Sequence, residues 1–208
     1  EIIASFGLGE RFANTDIREQ AKGYIPTTEF YNRVYGQKGW KAITIRSLSI
    51  GQGEILVTPL QLANQAAAIA NKGYYITPHF NRNDSMKSDI HTTLVDSIHF
   101  DVVHRGMERV MTNGTGRWYN IPELQMCGKT GTVQNPHGED HALFIGFAPK
   151  DNPQIAVAVA VENAGFGATW ACPMATLVME QYLTGEIKRN ALYERMVNAN
   201  LIDKSDEE

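Results

Sequence analysis

Nowhere in these 208 residues is there an apolar run approaching the roughly 20 residues that a membrane-spanning helix needs. The longest candidate, residues 154–161, is short and reads as a buried strand. Cysteine is also scarce. Two residues permit one disulfide at most and exclude a cysteine-rich framework; Cys127 and Cys172 either pair in an oxidising compartment or serve as small buried apolar groups, and the second reading is favoured. Positive charge is sparse and scattered. With 19 Lys and Arg against 23 Asp and Glu, a net charge of -4 and no basic cluster, the chain lacks what binding to a nucleic-acid backbone requires. There is no internal repeat, low-complexity tract or domain linker. What remains is a composition of 43% hydrophobic and 20% charged residues, which suits one globular domain, or part of one, with a substantial core.

The first forty residues are rich in Gly, Asn and Thr and predict a connector with one short helix, capped by Thr28 and ended by Gly36. Thr58 followed by Pro59 has the form of an N-cap and first helical residue; Leu60, Ala63, Ala67 and Ala70 recur on one face, and Gly73 suits the stop. A further helix is predicted over residues 98–112, burying Phe100, Val103, Met107 and Val110 and ending at Asn113-Gly114. Three strands follow, over 128–134, 141–148 and 154–161, and short links make them consecutive antiparallel neighbours with the first at an edge. A glycine-rich loop over 163–169 leads to a helix over 173–183. A last amphipathic segment carries Leu192, Met196 and Leu201, and residues 203–208 read as a frayed tail. The chain thus divides into a loop-rich connector (1–57), a helical part (58–116), the strands with their helix (117–185) and a terminal helix and tail (186–208).

The densest chemistry lies in Lys129-Thr130-Gly131-Thr132, where a cation, two hydroxyls and a glycine suit recognition of a small carboxylate beside a reacting carbonyl. An edge strand there would leave amide N–H groups free for a ligand, and glycine lets its backbone be approached closely. Gly128-Lys129-Thr130 also ends like a phosphate-binding loop, but that pattern needs glycine at position 123, which is Glu123. The run His137-Gly138-Glu139-Asp140-His141 offers metal-ligating side chains. Pro136 and Gly138 nevertheless place it in a loop, where a His-x-x-x-His pair does not converge as on a helix, so a solvated turn opening the next strand is the favoured reading.

Several short motifs in fixed order resemble the penicillin-binding protein transpeptidases, serine acyl-transferases that share the serine β-lactamase fold. They are Phe6-Gly7-Leu8-Gly9, Thr15-Asp16-Ile17, Gly23-Tyr24-Ile25-Pro26, Ser49-Ile50-Gly51-Gln52-Gly53, Thr58-Pro59-Leu60-Gln61-Leu62-Ala63, Ala70-Asn71-Lys72-Gly73, Gly114-Thr115-Gly116, Gly128 to Thr132, Phe144-Ile145-Gly146-Phe147-Ala148-Pro149 and Glu162-Asn163. The likeness spans residues 6–185 and is greatest to the elongation-type class B branch. Two family motifs are missing from these residues, the Ser-x-x-Lys that carries the nucleophile and the Ser-x-Asn. No serine here has lysine three positions on or asparagine two on, and in Ser85-Met86-Lys87-Ser88 the lysine stands at the wrong spacing. With Glu1 in place of an initiator methionine, the sequence reads as the C-terminal part of such a domain, inactive alone.

The resemblance implies an α/β (α+β) fold, a mainly antiparallel sheet with helices on both faces, incomplete in this chain. It implies acyl transfer from a D-alanyl-D-alanine stem peptide through a serine ester, with β-lactams as acylating mimics and no cofactor or metal. Lys129 would support substrate binding and proton transfer, Thr130 and Thr132 would hydrogen-bond the terminal carboxylate, Thr132 would also supply an oxyanion N–H, and Gly131 would let the peptide lie against the strand. Gln134, Gly165, Phe166 and Gly167 are weaker candidates for the rim of the cleft. The implied setting is the periplasmic face of the inner membrane, reached through an N-terminal anchor outside this sequence, alongside peptidoglycan, the cell-elongation machinery and a glycan polymerase. A D,D-carboxypeptidase or β-lactamase-type hydrolase, and a penicillin-binding sensor or scaffold, are the alternative readings.

Overall fold

The computed structural model describes residues 1–81 and 89–202; the Ser85 to Ser88 motif and the expected tail over 203–208 lie outside the described residues. Five α-helices and five strands occur among them: α1 (Thr28–Tyr35), α2 (Pro59–Ala70), β1 (Tyr74–Ile76), β2 (Ile90–Thr92), α3 (Phe100–Thr112), β3 (Cys127–Val133), β4 (His141–Ala148), β5 (Ile155–Val161), α4 (Ala171–Thr184) and α5 (Asn190–Val197). The central sheet has the order β3-β4-β5, antiparallel throughout, with Lys129 opposite Ile145 and Phe144 opposite Val159. No strand pairs with the other side of β3 among the described residues, so the expected edge position is found.

Side chains alternate across a strand, and β4 uses both directions. Phe144 faces α4 in a core with Met111, Met126, Cys172, Ala175 and Met179, while Phe147 faces α2 and α3 with Ala70, Met107 and Cys127. Helices therefore cover both faces of the sheet. Gly128 has a packing reason to be glycine, since a β-carbon there would run into the Phe144 ring. Cys127 and Cys172 are free and fully buried, and burial pushes both thiols up to about 12.

Some expectations shift. The cap of α1 is Thr27, not Thr28: Thr27 is extended and its hydroxyl accepts the Phe30 N–H, whereas Thr28 is already helical. Thr58 does cap α2, in a capping box with Gln61. The buried positions of α2 are Gln61, Asn64, Ala66, Ala68 and Ala70 rather than a Leu60, Ala63, Ala67 and Ala70 stripe. Hydrogen bonding is the reason. Gln61 Nε2 donates to the carbonyls of Glu10 (2.8 Å) and Lys22 (2.9 Å), and Asn64 Nδ2 donates to that of Phe6 (2.9 Å), so both amides turn inward against the opening segment. That segment is more than a connector, because Leu8 and Tyr31 belong to the core.

In α3 the buried stripe is Phe100, His104, Met107 and Met111, while Val103 is exposed. His104 turns in because Nε2 donates to the Ile69 carbonyl (2.7 Å) and its ring lies 4.9 Å from that of Phe147. The β1–β2 hairpin, with Tyr74 opposite Thr92, was not expected. Its strands have three residues each and carry too little pattern to announce themselves. The final helix keeps Leu192 and Met196 but ends before Leu201.

Candidate active site

The site is built on the free edge of β3. Lys129 and Gly131 stand opposite Ile145 and Leu143, on the α2 and α3 side, whereas Thr130 and Thr132 stand opposite Phe144 and Ala142, on the α4 side. Lysine is long enough to return to the edge. Its Nζ donates to the Thr130 carbonyl at 2.5 Å, and no acidic side chain pairs with it among the described residues. The Thr132 carbonyl accepts from Gln52 Nε2 at 3.5 Å, a long contact.

These two carbonyls therefore point away from β4. In an antiparallel strand the N–H and C=O of one residue point the same way, so the N–H groups of Thr130 and Thr132 face the open edge as well. An edge N–H is a preorganised donor for a carbonyl oxygen laid along the strand.

The turn after α3 brings a second hydroxyl to this edge. Thr115 Oγ1 lies 2.8 Å from Thr130 Oγ1. Its neighbour Gly116 is buried, held by an N–H bond to the Val110 carbonyl (3.0 Å). On the α4 side, Gly167 lies directly over β3; a β-carbon on it would run into the carbonyl oxygens of Gly131 and Leu143. The Gly167 N–H points at Thr132 Oγ1, 3.4 Å away. Gly131 itself packs tightly, because a β-carbon there would sit 3.2 Å from that of Leu143.

The structure thus brings together Lys129, Thr130, Gly131 and Thr132, as the sequence suggested, and adds Thr115 and Gln52. Both additions stood in recognised motifs, Gly114-Thr115-Gly116 and Gly51-Gln52-Gly53, but nothing in those glycine-flanked stretches said where their side chains reach. The weaker rim candidates divide. Gly167 reaches the strand, Phe166 is exposed beside it, Gly165 is bound instead to the Asp140 carbonyl (2.7 Å), and Gln134 lies exposed beyond the end of β3. Around 137–141 the backbone forms a turn, with the His137 N–H on Asn135 Oδ1 (3.1 Å) and His141 Nδ1 accepting from the Asn163 N–H (3.0 Å). Among the described residues no group of His, Cys, Asp and Glu is placed to hold a metal ion.

The family described as penicillin binding protein transpeptidase domain matches residues 1–180. The chain belongs to the penicillin-binding protein transpeptidases. Among curated relatives it is 34% identical to the peptidoglycan D,D-transpeptidase MrdA of Acinetobacter baumannii, an alignment covering 87% of this chain and 30% of that protein. Among solved structures it is similar to Pseudomonas aeruginosa PBP2 in complex with WCK 5153, at 36% identity and a TM-score of 0.77, covering 90% of this chain and 43% of that one. It is also similar, at 26% identity and a TM-score of 0.71, to a chain of a peptidoglycan synthase complex solved for its coordination of polymerization and crosslinking, covering 88% of this chain and 32% of that one. The fold expected from the motifs, a transpeptidase-like sheet with helices on both faces, is the fold of this family. The chain spans about a third of the length of the curated relatives it matches.

Proposed function

We propose that this chain supplies the carboxylate-binding and oxyanion side of a peptidoglycan D,D-transpeptidase of the penicillin-binding protein 2 type. The observation that carries the reading is the edge of β3, where the Thr130 hydroxyl and the outward N–H of Thr132 lie within one strand and Lys129 stands by without an acidic partner. A peptide ending in D-alanyl-D-alanine would lie antiparallel along this edge, its terminal carboxylate on Thr130 and Lys129 and its scissile carbonyl at Thr132. The Thr132 N–H would then stabilise the oxyanion that forms when a serine outside the present motifs attacks. D-Alanine departs, and the amine of another peptide takes the acyl group from the serine ester. β-Lactams enter as carboxylate-bearing mimics of the same peptide.

Relatives named as peptidoglycan D,D-transpeptidases support the expected place at the periplasmic face of the inner membrane, and likeness to a chain of a peptidoglycan synthase complex supports a glycan polymerase as a partner beside the expected elongation machinery. No helix among the described residues is long and apolar enough to cross a membrane. Titration of the ¹⁵N-labelled chain with diacetyl-lysyl-D-alanyl-D-alanine tests the reading. Amide shifts at Thr130 and Thr132, absent when the terminal carboxylate is amidated, are expected. Equal shifts with the amide would remove this strand from carboxylate recognition.

A further inference from the structure

Beside the Thr115–Thr130 contact stands a group that the transpeptidase reading leaves unused. Arg117 and Trp118 are both exposed, Trp118 at 77%, and the guanidinium lies 4.7 Å from the centre of the indole ring. Arg117 Nη1 donates to the Gly114 carbonyl (3.2 Å), which holds the cation next to Thr115. No acidic side chain pairs with it among the described residues. The turn beneath is firmly tied. Arg189 Nη1 donates to the Tyr119 carbonyl (2.8 Å) and Arg195 Nη1 to the Tyr119 hydroxyl (3.4 Å). A flat apolar ring carrying an unpaired guanidinium on a fixed turn is suited to a peptide carboxylate followed by its chain.

Its position selects which peptide. The contact from this turn goes to Thr130, the end of the strand site assigned to the terminal carboxylate, and not to Thr132, where the scissile carbonyl would lie. Arg117 and Trp118 therefore stand on the side from which the leaving D-alanine departs. The peptide that replaces it has to approach from there.

We propose that Arg117 and Trp118 bind the incoming amine-bearing peptide, the guanidinium holding one of its carboxylates while its chain lies on the indole. This assignment rests on the strand reading above. The test titrates the chain with alanyl-γ-glutamyl-diaminopimelate, with the same peptide fully amidated at its carboxylates, and separately with diacetyl-lysyl-D-alanyl-D-alanine. The free acid should bind about tenfold more tightly than its amide and shift the Trp118 indole N–H. Arg117→Gln should abolish that preference and leave binding of the D-alanyl-D-alanine peptide unchanged. Equal affinity of acid and amide for the wild-type chain overturns the proposal while the strand reading stands. So does an Arg117→Gln chain that loses the D-alanyl-D-alanine peptide, which would make Arg117 part of the first carboxylate site. A wild-type chain that binds no D-alanyl-D-alanine peptide overturns the strand reading, and the proposal with it.

Discussion

The hydroxyls of Thr115 and Thr130 lie 2.8 Å apart, joining the turn after α3 to the free edge of β3. Each hydroxyl has one proton, so if Thr115 accepts from Thr130 the ligand loses a donor, and if Thr115 donates, Thr130 keeps its proton for a carboxylate. The second arrangement is the productive one once an anion arrives. Thr130→Val should weaken binding of diacetyl-lysyl-D-alanyl-D-alanine about tenfold, as expected for a hydrogen bond to a charged group. Thr115→Val should weaken it less, roughly two- to fivefold, because it removes only the orienting partner. Calorimetric titration of both variants checks the order, and a larger loss from Thr115→Val would reverse the roles.

Covalent labelling separates binding from chemistry. No serine in the sequence has lysine three positions on, and of the hydroxyls gathered at β3 those of Thr115 and Thr130 bond to one another, while Lys129 Nζ is turned to the Thr130 carbonyl rather than to a hydroxyl. Fluorescent penicillin followed by denaturing electrophoresis should therefore leave the chain unlabelled at concentrations that label a complete transpeptidase. A stable adduct mapped to Thr115, Thr130 or any serine here would overturn this inventory.

Much of the sheet was legible because its signals are local. β4 and β5 are β-branched and aromatic runs bounded by the Pro149 to Pro153 link, and short links leave little choice but neighbouring antiparallel strands. The helix faces were harder to read for a specific reason. Gln61, Asn64 and His104 are polar residues that point inward to meet backbone carbonyls of distant segments, and apolar periodicity cannot see a partner 35 to 58 positions away. The same limit hid Gln52 and Thr115, whose reach to β3 depends on turns set by glycines. Lys129 to Thr132 was legible because its residue types sit in a single strand.

The buried thiols make a pH-dependent prediction. Both Cys127 and Cys172 are pushed up to about 12 by burial, so neither forms appreciable thiolate in the folded chain at neutral pH. A disulfide-exchange reagent at pH 8 should react with them only after denaturant is added. The linkage sign follows from the raised values. In the unfolded chain the thiols ionise near 9, so their contribution to stability is full below that pH and is lost as pH rises from about 9 toward 12. Denaturant titrations at pH 8 and pH 10 should show a fall that is smaller in a Cys127→Ala, Cys172→Ala double variant.

The turn that presents Thr115 is held from behind by a buried ion pair. Arg189 Nε donates to Glu180 Oε2 at 2.8 Å, the Lys188 N–H donates to Glu180 Oε1 at 3.0 Å, and Arg189 Nη1 reaches the Tyr119 carbonyl at 2.8 Å. The Glu180 side chain is only 3% exposed and that of Arg189 22%, so removing the arginine leaves a carboxylate buried with one donor. Arg189→Met should cost about 3–5 kcal/mol, the range for breaking a buried pair. Because Tyr119 also loses the shorter of its two arginine contacts, the one to its carbonyl, the same variant should raise hydrogen exchange in residues 114–119 beyond the rest of the chain. Pairing it with Glu180→Gln removes the stranded charge and should restore part of the stability but none of the protection at that turn. Recovery of both would show that the turn is held by its own bonds to Val110 and Gly114, and that the ion pair matters only for the α4–α5 junction.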